Sequence, residues 1–484
     1  MVKNIGDSIP FALIVLLSVM NVFIILRDFL FHEGIVLYRD LYWPVTSEYF
    51  RSIGMYTWNP YMQESSLVFA MQAPMHVFLS LFSPELGERL IYIIIIISLT
   101  AIPFYVVYKL SGSKVAATIT SILYVYNPVT INRFQHKFML FTYSMLPLIA
   151  LLAYKFSHDI LKNGKFKFKY LIASSVILML ISCSLHFAVF GIILFIFYAF
   201  SYSLFNLRRN YRLLSLFAKI TIGIVVVIIV YTALEAFALL PVVMKFIRRD
   251  RLTPYVVNIE IVYHLSRNSH IVNAIRLLGY WWPSLAYESY PEVASYTLFI
   301  YPIIAAMSLL VKARNSLIEK FKLLTSIIML VSLTLACGTQ TLGMLYVYLV
   351  TKLPFGWFIR DPYKFSFILS YSYSVLIGLL ISNIRRRPRL LSILTIATVA
   401  VVFVGNVPLL TGNLNGVFRP STIFEESAKT ITNIDIRGEN DYSRYLLFPR
   451  YPIWYGTIPL TKDDVYAKYI IEKSLDSVND VRKL

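Results

Sequence analysis

The chain has 484 residues, of which 58% are hydrophobic and only 15% are charged, and its formal net charge is +19. Soluble globular proteins carry roughly 25% charged residues, so this composition excludes a cytosolic enzyme, a disordered chain and a disulfide-stapled scaffold.

The apolar residues predict an all-α polytopic membrane protein with about eleven transmembrane helices, because they form blocks near the roughly 20 residues that cross a bilayer core. The block 170–205 is too long for one span and breaks at residues 183–186, its most polar point. Segment 67–82 is short and contains polar residues and a proline, so we expect it to lie in the interface or to dip in and out. Cys183 and Cys337 fall inside spans and are expected to be small buried hydrophobes. The predicted spans are 10–27, 90–109, 115–131, 138–154, 170–184, 187–205, 214–240, 294–311, 323–337, 366–382 and 390–410.

The placement of Lys and Arg predicts the orientation, since short cytoplasmic loops collect basic residues. With the N-terminus inside and the C-terminus outside, nearly all of the basic excess falls on the inner segments. The positive charge is therefore a topology signal and predicts no nucleic-acid partner. Lys3 precedes the first span and no small-residue cleavage site follows it, so this span is expected to be an uncleaved signal anchor.

All the long loops are predicted on the outer face. The transmembrane domain would cover 1–410 with outer loops 28–89, 241–293 and 338–365, and a small α/β tail, 411–484, would pack on these loops. Transporters that alternate access need paths on both faces and often show internal repeats, and the sequence has no convincing repeat. One-sided loops favour an enzyme or receptor at the outer surface that a lipid reaches from within the bilayer.

The first outer loop carries a candidate general base, Asp40. It lies between Arg39 and an aromatic run, Tyr42 and Trp43, that would anchor it at headgroup depth. Partial desolvation at that depth makes a carboxylate more basic unless a cation offsets the effect. The alternative is a surface acid that simply pairs with Arg39.

A cationic group follows the third predicted span. The Asn127-Pro128 pair is expected to break the helix, and Arg133, His136 and Lys137 follow where the chain re-enters the membrane. Cations at this depth can hold a lipid phosphate through charge-assisted hydrogen bonds. Ordinary snorkelling to the interface is the alternative.

Segment 338–365 is predicted to contain a re-entrant or interfacial helix, because its apolar stretch Leu342–Leu353 is too short to cross and prolines follow it. Irregular backbone at membrane depth is tolerated where it lines a cavity. Arg360 and Lys364 are therefore phosphate-binding candidates. Asp361 would either orient Arg360 or bind a metal, and a purely structural pair of these two residues is the alternative.

Aromatic residues of the outer loops are candidates for binding the sugar or the acceptor. Trp281 and Trp282 offer flat aromatic surface for a sugar or, alternatively, for the membrane interface. Tyr42 and Trp43 of the first outer loop are grouped with them as sugar- or acceptor-binding candidates.

Several stretches resemble the GT-C class of membrane glycosyltransferases. An outward-going first span, an acidic outer loop and interfacial helices before the second span are similar to that class. KVAATITSILYVYNPVTINRF and LFTYSMLPLIALLAY, both within 114–154, look like the small-residue helix, NP break, Arg and LP helix of its arabinofuranosyltransferase D-like branch. IRDPYKF at 359–365 is similar to that branch's Arg-x-x-x-Lys-Phe element, and RYLLFP at 444–449 also has a counterpart there.

The resemblance implies a sugar donor linked to a polyprenyl or dolichyl phosphate, and a glycan or glycoprotein acceptor that approaches from outside. It also implies that Asp40 is the catalytic carboxylate and that Arg360 and Lys364 lie near the donor phosphate. The further donor-phosphate candidates are Arg133, His136, Lys137 and Arg39. The chain has one Asp in its first outer loop where the branch has two adjacent acids, which leaves a need for Mg²⁺ or Mn²⁺ open. Its outer C-terminal part is also shorter, which leaves the acceptor open.

The sequence thus predicts a cell-membrane enzyme that moves a sugar from a lipid-phosphate donor to an extracytoplasmic acceptor hydroxyl with inversion, with Asp40 as the base. The alternative is a non-catalytic protein that binds or translocates lipid-linked glycans. Translocation needs a polar path to the inner face, where the spans show little besides short basic loops. Glu235 is an ionisable exception, but it falls near the outer end of the seventh predicted span.

Overall fold

The chain divides into two compact units, which are described separately. The first comprises Met1–Leu26, Ile93–Ala236 and Arg249–Asn415, and the second Arg27–Tyr92, Phe237–Arg248 and Gly416–Leu484. The computed structural model describes residues 2–31, 35–36, 72, 75, 77–78, 81–82, 84–134, 136–164, 167–205, 213–240, 259–280, 295–313, 315–353, 356–384, 387–411, 417–418, 444–445 and 458–459.

Helices make up most of the described chain, and each of the eleven predicted spans coincides with helical structure. The α-helices are α1 Val2–Phe31, α2 Pro84–Ser111, α3 Lys114–Val125, α4 Pro128–Asn132, α5 Lys137–Asn163, α6 Phe168–Ile181, α7 Leu185–Leu204, α8 Leu213–Leu234, α9 Ile259–Ser266, α10 Ile271–Ile275, α11 Ile300–Leu310, α12 Ser316–Ala336, α13 Thr339–Leu342, α14 Met344–Lys352, α15 Phe365–Ile384, α16 Pro388–Gly405 and α17 Val407–Thr411.

Six helical stretches in the described part are long and apolar enough to cross a membrane. The chain is therefore an all-α membrane protein, as predicted, whereas the count of eleven spans and the orientation stay predictions. The six stretches are Pro10–Arg27, Leu86–Ser111, Lys137–Asn163, His186–Leu204, Ser215–Leu234 and Pro362–Ile384, and the shorter apolar helices are Phe168–Ile181, Thr297–Leu310 and Pro388–Ala400.

Helix α15 is the centre of the first unit. Every residue of this helix except Asn383 is buried, and it packs against α3, α11 and α12. A helix that is apolar on all sides is stable only when neighbours surround it. Two of its serines satisfy their hydroxyls within the helix: Ser372 donates to the carbonyl of Ile368 at 2.8 Å, and Ser374 to that of Ser370 at 2.9 Å.

Local chemistry explains the breaks between helices. Asn127 caps α4, since its side-chain oxygen accepts from the backbone N–H of Val129 at 3.0 Å and of Thr130 at 3.2 Å. Pro128 occupies the first helical position, where its missing N–H costs no hydrogen bond. The predicted break at Asn127-Pro128 is confirmed, and so is the break at 183–186, because α6 ends and α7 begins there.

The segment before α15 alternates short helices and tight turns. After α13 and α14, two 3₁₀ turns, Gly356–Ile359 and Pro362–Lys364, lead directly into α15. The predicted short helix followed by irregular backbone is present, and its place at the membrane interface stays a prediction. Cys183 and Cys337 are buried, as expected, and form no disulfide in the described part of the chain.

The second unit contains two short antiparallel strand pairs. Strand β1, Ile35–Val36, pairs with β2, Val417–Phe418. Strand β3, Arg444–Tyr445, pairs with β4, Ile458–Pro459. Residues of the first outer loop and of the tail therefore belong to one unit.

We expect Gly378→Ala to lower the melting temperature of the purified protein. A Cβ at this position would lie 1.8 Å from the hydroxyl of Thr120 and 3.2 Å from the carbonyl of Ala116, so α3 and α15 would have to separate. Overpacking of this kind typically costs about 1–3 kcal/mol. The matched control is Gly191→Ala, where the nearest atom is the end of the flexible Leu178 side chain. Equal melting of the two variants would contradict the close α3–α15 approach.

Candidate functional site

A buried ion pair joins two of the sequence-predicted groups. Arg133 follows α4 in the turn before α5, and its Nη2 lies 2.7 Å from Oδ2 of Asp361, just before the second 3₁₀ turn. The two side chains are only 5% and 9% exposed, respectively. Residues 228 positions apart in the sequence thus form one site within the first unit.

Two tyrosines enclose the Arg133 guanidinium. Its Cζ lies 4.2 Å from the ring centroid of Tyr280 and 5.4 Å from that of Tyr363. The two rings are 5.1 Å apart and tilted by 43°. Cation–π contacts of this kind strengthen when water is excluded, so the rings fix the guanidinium in place.

Tyr363 connects three elements of the site. Its hydroxyl accepts a hydrogen bond from Asn132 at 2.9 Å and donates to the carbonyl of Leu277 at 3.0 Å. Leu277 follows α10 in a left-handed conformation, with φ of 64°, which costs a non-glycine residue roughly 1–2 kcal/mol. The surrounding structure therefore stabilises a strained backbone conformation at Leu277, whose carbonyl accepts the hydrogen bond from Tyr363.

The predicted role of Asp361 needs a correction. We expected this carboxylate to orient Arg360 or to pair with it structurally; its alternative role as a metal ligand stays a prediction. Instead one oxygen binds Arg133, and the other accepts from the backbone N–H of Tyr363 at 3.1 Å and caps the 3₁₀ turn. The cap holds one carboxylate oxygen at the start of the 3₁₀ turn, and the fold brings the Arg133 guanidinium to the other oxygen.

His136 lies beside this pair as a neutral imidazole. Burial, together with the positive charges of Arg133 and Lys364, lowers the pKa of His136 well below its usual range. Its Nε2 is 3.5 Å from Nη1 of Arg133. Since a guanidinium can only donate, this contact assigns the proton to Nδ1 of His136.

Three further predicted cations lie in or near this cluster. Lys364 is 6% exposed, and Asp361, Arg360 and Arg133 all lie within electrostatic range of it. In the described part of the chain its ammonium forms no hydrogen bond or ion pair. Arg360 is partly buried. Lys137 is 1% exposed and begins α5, where the helix dipole opposes a cation and favours an anion.

Sequence reasoning missed one member of this site, His186 at the start of α7. Its ring lies edge-on to Phe358 with centroids 5.6 Å apart, and Lys364, Arg360 and Arg133 are within electrostatic range. The hydropathy of residues 183–186 indicates only a break between two spans. An ionisable side chain at the end of an apolar segment is itself a signal for a functional site.

The predicted metal has no ligand set in the described part of the site. No group of three or more His, Cys, Asp or Glu side chains is placed to hold a metal ion among those residues. Asp361 is the only carboxylate that the described contacts place in the cluster, and both of its oxygens are engaged. We therefore derive no step through a metal.

The remaining predicted site residues lie outside the described part of the chain. They are Arg39, Asp40, Tyr42, Trp43, Trp281 and Trp282.

Comparison with protein-family models, curated proteins and solved structures gives no match for this chain. The fold and the site together define an all-α membrane protein with a cluster of basic side chains, Arg133, His136, Lys137, His186, Arg360 and Lys364, and a single described acid, Asp361. Arg133, His136, Lys137 and Lys364 are buried, and we call the set the buried cationic cluster.

Proposed function

We propose that the protein is a membrane glycosyltransferase that uses a polyprenyl- or dolichyl-phosphate-linked sugar as its donor. The observation that carries this proposal is the buried cationic cluster at the end of apolar helices. Burying a charge without a counterion is costly, and the ammonium of Lys364, which is 6% exposed, has no ion pair or hydrogen bond in the described part of the chain. A lipid phosphate would supply negative charge at this depth and bring its own apolar tail.

The basic side chains of the cluster would bind a phosphate in different ways. Arg133 is fixed by its ion pair and two rings, so it sets the geometry of the site. Lys364 offers an ammonium without a hydrogen bond to the described protein, and neutral His136 can donate from Nδ1 without adding charge. Together they provide donors for several phosphate oxygens.

In the proposed reaction the acceptor hydroxyl attacks the anomeric carbon of the donor sugar. Asp40 takes the hydroxyl proton, the new glycosidic bond forms on the opposite face, and the bond from carbon to phosphate oxygen breaks with inversion. The leaving lipid phosphate keeps the electron pair. Lys364, Arg360 and Arg133 would stabilise the charge that develops on it, because fixed cations act strongly in a water-poor site.

We expect Asp40→Asn to lower sugar transfer by about 10²–10⁴-fold, the usual contribution of a general base. The assay incubates purified protein with a radiolabelled polyprenyl-phosphate sugar and cell-envelope acceptors, and measures transfer. Donor binding should persist, since the residues proposed to bind the donor phosphate are unchanged. Full transfer by a correctly inserted Asp40→Asn protein would remove Asp40 from this role.

The same assay separates the alternative function. Movement of the labelled donor across liposomes without transfer would identify a translocating protein, and binding alone would identify a non-catalytic one. The cationic cluster would bind the lipid phosphate in either case, so only transfer of the sugar to an acceptor identifies a glycosyltransferase.

A further inference from the structure

A second group of cations lies at the opposite end of helix α5 from Arg133. Helix α5 has 27 residues, so at 1.5 Å per residue its two ends are about 40 Å apart. Its last turns carry Lys155, His158, Asp159 and Lys162. This group is therefore distinct from the proposed donor site, and it lies on the face that the basic loops predict to be cytoplasmic.

His158 and Tyr202 form a partly buried side-chain contact in this region. Nδ1 of His158 lies 2.8 Å from the hydroxyl of Tyr202, which is 4% exposed. The ammonium of Lys320, from α12, lies 5.7 Å from the Tyr202 ring centroid. Lys162, Lys167 and Lys320 are all within electrostatic range of His158, so three helical segments bring their cations to one imidazole.

Lys155 extends the group toward two further helices. Lys109 from α2 and Lys169 from α6 lie within electrostatic range of it. Lys109 lies 5.6 Å from the ring centroid of Tyr105, and Lys169 lies 5.1 Å from that of Tyr170. Lysines interleaved with tyrosines are typical of the headgroup layer of a membrane protein.

A carboxylate also belongs to this group of cations. Asp159 is the only carboxylate that the described contacts place beside both His158 and Lys155, and it is bound to Lys167 at 2.8 Å. We call the six lysines of this group the lysine cluster. Its members are Lys109, Lys155, Lys162, Lys167, Lys169 and Lys320.

An apolar stripe on α6 begins next to the lysine cluster. Phe168, Ile172 and Val176 are 68%, 56% and 39% exposed, and their spacing of four residues puts them on one face of the helix. The stripe starts beside Lys169 and continues away from it along α6. A ligand with a negative head and an apolar chain would match both features.

We propose that the lysine cluster binds the phosphate of an anionic membrane lipid, with an acyl or isoprenoid chain along the α6 stripe. The cluster attracts negative headgroups electrostatically, and the lysine stems lie along apolar helices while their ammonium groups reach the phosphate. This binding is independent of the proposed sugar transfer, because the two sites occupy opposite ends of α5.

The test measures lipid binding to the purified full chain in detergent by native mass spectrometry. Phosphatidylglycerol and phosphatidylcholine with the same acyl chains are titrated separately, and inorganic phosphate is added as a competitor. We expect retention of phosphatidylglycerol over phosphatidylcholine, and no competition by inorganic phosphate at the same concentration. Equal retention of the two lipids, or displacement by inorganic phosphate, would overturn the proposal.

Variants then locate the binding site. The double variant Lys155→Gln with Lys320→Gln should weaken phosphatidylglycerol binding by about 25-fold, since each interfacial cation contributes about fivefold. The double variant with arginine at the same positions should retain binding because it keeps the charges. The matched control is Lys114→Gln, which removes a lysine at the start of α3, outside the lysine cluster. If Lys114→Gln loses as much phosphatidylglycerol binding, the effect is a general one of charge, and the lysine cluster is not the binding site.

Discussion

Replacing Asp361 with asparagine should destabilise the protein by about 3–5 kcal/mol, the usual cost of removing one partner from a buried ion pair. The substitution would leave the Arg133 guanidinium buried among Lys364 and Arg360 without its described counterion. The cap that Asp361 gives to Tyr363 would be weakened as well. The measurement is the unfolding midpoint of the purified protein in detergent.

The control for this experiment is Asp159→Asn. Asp159 also forms an ion pair, but the Lys167 side chain is 43% exposed, compared with 5% for Arg133. Water screens such a pair, so its loss should matter much less. A second variant, Asp361→Asn with Arg133→Met, should recover part of the stability because it removes the orphaned charge. If Asp361→Asn and Asp159→Asn unfold alike, the ion pair does not organise the site.

Replacing Lys364 with methionine should separate function from stability. Under the proposed function, transfer should fall by about 10²–10³-fold, the usual loss when one donor that stabilises developing charge is removed. Stability should stay equal or rise, because the substitution removes a buried cation close to Arg133 and Arg360 and keeps an apolar stem of similar length. The transfer assay and the unfolding midpoint measure these two effects, and titration with a polyprenyl phosphate measures donor binding.

Lys352→Met is the matched control for Lys364→Met. Lys352 ends α14 and is exposed, so its loss should change neither donor binding nor the unfolding midpoint. An unchanged polyprenyl-phosphate titration in Lys364→Met would remove Lys364 from the phosphate site. A marked loss of stability in that variant would show instead that Lys364 has a structural role.

Much of the fold follows from local sequence signals. Hydropathy alone locates the apolar helices, and an Asn-Pro pair ends one helix and caps the next through bonds within three residues. These features depend on neighbouring residues only, so the sequence predicts them well. The cations of the site could also be predicted from each segment separately, because each of their segments places basic residues at the end of an apolar stretch.

The partners of those cations could not be predicted from the sequence. Sequence proximity favoured a pair between Asp361 and its neighbour Arg360, whereas the structure pairs Asp361 with Arg133, 228 positions away. The ring pair of Tyr280 and Tyr363 and the addition of His186 to the site also depend on contacts between distant segments.

The sequence by itself determined that this is an all-α membrane protein. It also determined where several helices break and which charged segments are candidates for a functional site. Only the tertiary structure decided which charges meet. Hydropathy and helix capping act over a few residues of chain, whereas Coulomb attraction and ring packing act through space. The packing around α15 brings the turn before α5 and the turn before α15 into contact, and that contact creates the buried cationic site.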